Sequence, residues 1–239
     1  MKHRNSIITS CFALALAGSA HAAGVWSTIN WTNDTSLSFI TSANVTHSAD
    51  FVGPSKSAAT INGHTFGAIS FVGSPGAFTT PYSGSNFTIG ASASMLTYLL
   101  SAGVSGTASS NLSDGLIAFQ NQAGAGQSVT YNLTGLSTNT NYEFYFFNPD
   151  WTGGATRTGF LDGSDDGVGN TIAIVQTLGA GDKILKYAYN TGASTTFTMT
   201  ATSNDAAGLH NYAFVNVVPE PSAALLGGLG MLALLRRRR

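Results

Sequence analysis

Across much of the chain the apolar positions recur at every second residue in short runs, and each run is closed by a cluster of Gly, Ser, Asn or Asp. Alternation of this kind sets one side of an extended chain against a core and the other toward solvent, so it predicts strands. The runs are Asn86 to Ile89, Ser128 to Leu133, Tyr142 to Asn148, Thr171 to Thr177, Lys183 to Tyr189, Thr195 to Thr200 and Asn211 to Val217. Asn62-Gly63, set between Ile61 and the alternating His64, Thr65 and Phe66, predicts a tight hairpin. Ser94 to Leu100 is the one stretch that reads as a short helix. Short strands with turn-rich links and no tandem repeat predict one all-β domain, a sandwich or barrel, over 23–217.

Outside that region the pattern changes. Lys2, His3 and Arg4 precede an apolar run from Ile7 to Ala17, and Ala20, His21 and Ala22 follow as an A-x-A cleavage pattern. This is the order of a secretory signal peptide, 1–22, whose apolar run is too short to span a bilayer comfortably. At the other end Val218, Pro219, Glu220 and Pro221 precede a charge-free stretch, 222–235, and then Arg236, Arg237, Arg238 and Arg239. Two prolines around Glu220 remove backbone donors and disfavour helix before Pro221, so the tetrapeptide is expected to be extended and accessible. Ser222 can cap a helix of about 21 Å, at 1.5 Å per residue, against a hydrocarbon core of about 30 Å. Bilayer thinning accommodates such a span, and the arginines stay in cytoplasmic water. The tail, 218–239, therefore divides into a motif (218–221), a membrane helix (222–235) and a basic tail (236–239).

Composition changes the picture in two ways. Only 9% of residues are charged, against about 25% in an ordinary soluble domain. The net charge of −1 averages basic ends with an acidic middle, where Lys56, Arg157, Lys183 and Lys186 face ten acids between Gly24 and Val217. Such a domain lacks the clustered cations that release counterions from nucleic acid, so nucleic acid is not an expected partner. The single cysteine, Cys11, lies in the leader behind Thr9 and Ser10, which do not suit a lipid anchor. A mature chain without cysteine forms no internal disulfide and depends on burying a full-size core.

The Val-Pro-Glu-Pro tetrapeptide, the short apolar helix and the terminal arginines, in that order, resemble the PEP-CTERM sorting signal of exported bacterial proteins. The resemblance implies passage through the Sec export machinery of a Gram-negative bacterium and a transient stay in the inner membrane. An exosortase-type processing enzyme then cuts near the motif, and the protein passes to the cell surface or extracellular matrix. Val218, Pro219, Glu220 and Pro221 are in this reading a site acted upon, and Arg236 to Arg239 a membrane stop. Val129 to Leu136, ending Leu133-Thr134-Gly135-Leu136, followed by Asn139 to Phe147, is similar to an arrangement in jelly-roll domains of such proteins, which carry an aromatic and Arg loop and a late His before the final strand. The counterparts here are Trp151, Arg157 and His210. The resemblance implies a single jelly-roll, galactose-binding-like β-sandwich flanked by a signal helix and a transmembrane helix.

Few residues point to chemistry. Asp162, Ser164, Asp166 and Gly167 fall at positions 1, 3, 5 and 6 of a calcium-loop pattern, but the twelfth position is Ala173, where an EF-hand needs a bidentate acid. The favoured reading of the same residues is a solvated turn, in which Asp and Gly supply the turn geometry. Trp151 lies between Pro149-Asp150 and Gly153-Gly154, so an exposed indole there would stack on a sugar while Asp150 or Arg157 bonds its hydroxyls; the alternative is that it caps the core. His47, His64 and His210 show no metal-ligand spacing, and no nucleophile elbow, P-loop or H-E-x-x-H motif occurs. The expected function is a non-catalytic surface or matrix protein associated with exopolysaccharide, without a cofactor unless calcium binds. A specific carbohydrate-binding module using Trp151, Arg157 and Asp150 is the second reading. A glycan hydrolase is the third, and it requires two carboxylates about 5 to 10 Å apart in a cleft.

Overall fold

The computed structural model describes residues 24–54, 56–99, 104–119, 125–150, 156–164, 170–206 and 208–220. The signal segment with Ala20 and Ala22, the tail from Pro221 through Arg239, Trp151 and Asp166 lie outside the described residues.

The first half of the chain forms β1 (Val25–Asn30), β2 (Val45–Val52), β3 (Thr60–Ile61), β4 (His64–Thr65), β5 (Ala68–Ser70), β6 (Gly76–Phe78), β7 (Tyr82–Ser83), β8 (Phe87–Ala91) and β9 (Met95–Leu99). A 3-10 turn at Asp34–Leu37 and a helix, α1 (Thr107–Leu112), are the helical elements among the described residues. The second half forms β10 (Gly115–Phe119), β11 (Ser128–Thr134), β12 (Asn141–Asn148), β13 (Arg157–Gly163), β14 (Thr171–Gln176), β15 (Lys183–Asn190), β16 (Thr196–Ser203), β17 (His210–Asn211) and β18 (Ala213–Val217).

Two six-stranded sheets carry the architecture, ordered β1-β15-β12-β18-β2-β5 and β14-β13-β16-β11-β8-β7. Every pairing within them is antiparallel except β2 with β5. Counting β2, β11, β12, β13, β14, β15, β16 and β18 as strands 1 to 8, the sheets read 1-8-3-6 and 2-7-4-5. That interleaving is the jelly-roll form of a β-sandwich, in which the chain passes repeatedly between the two sheets.

Alternation explains the layers. On β12 Tyr142, Phe144 and Phe146 point into the space between the sheets with Phe214, Leu185, Tyr187, Tyr131, Leu133, Phe197 and Met199. Phe144 and Phe214 stack at 5.6 Å, and Tyr189 stacks on Phe197 at 3.8 Å. The intervening residues Tyr145 and Phe147 face the other way, into a second core with Trp31, Leu37, Ile40, Ile61, Phe66, Leu116 and Tyr212. The first sheet is thus buried on both faces, whereas among the described residues no core cluster covers the outer face of the second sheet. A smaller sheet, β17-β10-β9-β6, adds Met95 and Ile117 to the main core.

The hairpin at Asn62-Gly63 forms as the sequence predicts: both residues have positive φ, 46° and 81°, and Thr60 pairs with Thr65. The segment Ser94 to Leu100 departs from its expected helix. It contains β9, paired with β6 and β10, because Met95 and Thr97 are buried at period two and the β-branched and aromatic residues suit a sheet. Arg157 likewise opens β13 instead of sitting in a loop.

Candidate functional site

The open face of the second sheet is built from the positions that alternate with its core residues. On β16 Phe197, Met199 and Ala201 point inward, so Thr196, Thr198, Thr200 and Thr202 point outward. Thr130 and Asn132 of β11, Thr88 of β8 and Thr158 of β13 continue the face by register, since Thr130 pairs with Thr200 and Asn132 with both Thr198 and Thr88. Thr198 Oγ1 donates to Asn132 Oδ1 at 2.8 Å, and Asn132 Nδ2 donates to Thr88 Oγ1 at 3.3 Å. Neighbouring strands lie about 4.8 Å apart and same-face residues about 6.7 Å apart along each strand. The result is a grid of hydroxyls and amides with one aromatic ring, Phe160, opposite Thr202, and its single charge among the described outward residues of these strands is Asp162, opposite Thr200.

The face runs into a groove of about 410 Å³ lined by Ser164, Asn190, Thr191, Ser194, Thr196 and Thr198, with Tyr189 and Phe197 at its base. Ser164 closes it: its N–H donates to Thr198 O at 3.0 Å, and its Oγ accepts from Thr198 N at 2.9 Å. Of the calcium-loop pattern, Ser164 therefore lines this groove, while Asp162 lies on the open face opposite Thr200.

The other sequence-predicted residues gather at the opposite end of β13. Arg157 is only 7% exposed. Its Nη1 donates to Gly208 O at 3.4 Å, and burial lowers its pKa while the carboxylate of Asp205 favours its charged form. Gln176, its register partner, is fully buried. Its Nε2 donates to Asn148 Oδ1 at 2.8 Å and to His210 O at 2.7 Å, and its Oε1 accepts from His210 N at 2.9 Å. Burial, followed by the charge of Arg157, holds His210 well below the ordinary histidine range. This polar seam joins β12, β14 and β17, and nothing in the alternation of the sequence signals it. Asp150 is half-buried at the same end, where its Oδ2 accepts from Gly181 N at 3.1 Å.

The histidines are dispersed. His47 Nε2 donates to Thr134 O at 2.9 Å, and His64 Nε2 contacts Ser48 Oγ at 2.9 Å. Burial lowers the pKa of both. No three His, Cys, Asp or Glu side chains converge as a metal centre among the described residues.

The chain leaves the sandwich at Val217. Val218 N still donates to Asn44 O at 2.8 Å, while Val218 and Glu220 are exposed. Thr41 Oγ1 donates to Glu220 Oε1 at 3.5 Å beside a groove of about 210 Å³ that Pro219 and Glu220 help to line. Among the described residues no helix is long and apolar enough to cross a membrane.

No protein-family model matches the chain, and no curated protein is similar to it. Among solved structures, it is similar to the CBM22-1 xylan-binding domain of Paenibacillus barcinonensis, with 14% identity over 56% of this chain and 87% of that one, at a TM-score of 0.38. A family 35 carbohydrate binding module from Clostridium thermocellum matches with 14% identity over 55% of this chain and 92% of that one, at a TM-score of 0.36. A family 61 module in complex with β-1,4-galactotriose matches with 16% identity over 55% and 88% of the two chains, at 0.35.

Proposed function

We propose that this chain is an exported, non-catalytic surface or matrix protein whose sandwich contacts neutral exopolysaccharide through the open face of its second sheet. The observation that carries the reading is the row Thr196, Thr198, Thr200 and Thr202 on β16, joined by Thr130, Asn132 and Thr88. A neutral glycan offers hydroxyls at short intervals and no charge. A face of hydroxyls and amides with little charge matches it through many weak hydrogen bonds, each worth about 0.5–1.5 kcal/mol net. The adjoining groove, with aromatic rings at its base, gives a chain of sugars a place to end or turn.

Export and sorting complete the reading. Residues 1–22 direct secretion, the apolar tail halts the chain in the inner membrane, and an exosortase-type enzyme cuts at Val218 to Pro221. The exposure of Val218 and Glu220 immediately after the last strand supports access to that motif. The alternative of a specific module built on Trp151, Asp150 and Arg157 is less favoured, because the Arg157 guanidinium is committed to the buried seam.

The experiment is retention of the protein on polysaccharide from the producing cell. A Thr130→Ala/Thr200→Ala variant should lose at least about tenfold in retention. Both positions point away from the core, so its Tm should move by no more than a few degrees. Retention equal to that of the unaltered protein contradicts the assignment of the face.

A further inference from the structure

The turn after β12 and the turn before β15 clasp each other through their acids. Asp150 N donates to Asp182 Oδ1 at 3.0 Å, and Gly181 N donates to Asp150 Oδ2 at 3.1 Å. Those bonds leave Asp150 Oδ1, which is buried and has no hydrogen-bond partner. Tyr212, 0% exposed, approaches the same place from the second core. Its backbone N–H donates to Phe147 O at 3.2 Å, which sets it beside the end of β12. Its ring packs edge-on against Trp31 at 6.0 Å, and Trp31 N donates to Asp182 O at 3.0 Å. Tyr212 Oη is itself buried without a partner; burial, then the charges of Asp182 and Asp150, oppose its ionisation.

Two orphaned oxygens in one buried neighbourhood form an expensive arrangement. A buried polar group left unsatisfied costs about 1–3 kcal/mol, and an uncompensated carboxylate costs more. They do not bond to each other, so each still lacks the partner that a buried oxygen requires. The cationic side chain adjacent in sequence, Lys183, is engaged elsewhere, its Nζ donating to Asn30 Oδ1 at 2.7 Å. An oxygen-only donor set with excess negative charge suits a hard cation. Calcium tolerates an irregular set of six to eight oxygens, whereas magnesium demands a near-ideal octahedron.

We propose that Asp150, Asp182 and Tyr212 form a calcium site that locks the 149–150 turn to the 180–182 turn. Asp150 Oδ1 and Tyr212 Oη are ligands, Asp182 supplies the second negative charge, and water completes the shell. The site is distinct from the loop pattern at Asp162: β13 runs from Arg157 at the end near Asp150 to Asp162 and Gly163 at the other, about 17 Å away at 3.3 Å per residue.

The test is calcium titration of the purified full-length protein, read by Tm and by terbium luminescence, with Trp31 and Tyr212 placed to sensitise a bound terbium ion. The unaltered protein should gain several degrees in Tm with millimolar calcium and show terbium emission that calcium displaces. Asp150→Asn should abolish both responses, and Asp162→Asn should keep both. Tyr212→Phe separates ligation from packing: it removes a buried orphan hydroxyl, so it should melt no lower without calcium, yet bind calcium at least tenfold more weakly. Absence of any calcium response, calcium affinity unchanged in Asp150→Asn or Tyr212→Phe, or a response lost in Asp162→Asn would each overturn the proposal.

Discussion

Asp50 lies in the middle of β2 between Ala49 and Phe51 and is 0% exposed. Its Oδ2 accepts from Ala59 N at 2.8 Å, and its Oδ1 is buried without a partner. Burial, with a smaller contribution from the Asp114 carboxylate, pushes its pKa from 3.8 up to about 7, against the opposing effect of the Ala59 bond. A carboxyl whose folded pKa is raised contributes stability that is complete below its unfolded value and is lost as pH rises through the folded value. The fold should therefore weaken between about pH 4 and pH 7, and remain weakened above, by on the order of 4 kcal/mol at most. Asp50→Asn keeps an acceptor for Ala59 and carries no charge. Denaturant unfolding should show this variant more stable than the parent at pH 8 and indistinguishable from it near pH 4; a difference independent of pH would remove Asp50 as the cause. A lone acid inside an apolar run gives no sequence signal of this kind, because the neighbours that desolvate it come from a distant loop and strand.

Strands that the sequence announces are those with one apolar and one polar face. β11 and β16 read clearly because Val129, Tyr131 and Leu133, then Phe197, Met199 and Ala201, alternate with Thr, Ser and Asn. β13 is silent because two of its inward positions are Gly159 and Gly163. A Cβ on Gly163 would sit 2.5 Å from the Tyr187 ring, so the ring occupies the space that a side chain would otherwise mark. β10 carries apolar residues on both faces, since Ile117 faces the main core while Leu116 and Ala118 face the second, and period two disappears from it. The hydroxyl face was legible as Thr-x-Thr-x-Thr-x-Thr on β16, but its continuation onto β11 and β8 is a matter of register. The weight of cross-sheet packing falls on Phe214, which stacks on Phe144 and meets Tyr131 and Phe87 edge-on. Phe214→Ala should cost about 3–5 kcal/mol, read as a lowered denaturant midpoint with an unchanged m value. A cost below about 1 kcal/mol would mean that the sheets are not held through this strand.

The whole chain is organised as a polar-faced sandwich between two apolar segments that carry their cations at opposite ends. In the proposed reading the first segment is a leader discarded on export, and the last, a charge-free apolar stretch followed by four arginines, halts translocation. The sandwich has little charge with which to seek a phosphate backbone or an ionic partner, and its open face suits hydrated neutral polymer. Under the proposed function, delivery to the outside is what gives that face its use. The decisive measurement is the intact mass of the form displayed at the cell surface. It should begin at Ala23 and end within or close to Val218 to Pro221, without residues 222–239, and Glu220→Ala/Pro221→Ala should leave the tail attached in the membrane fraction. A surface form that retains Arg239, or a chain found inside the cell with Met1 in place, would contradict the account.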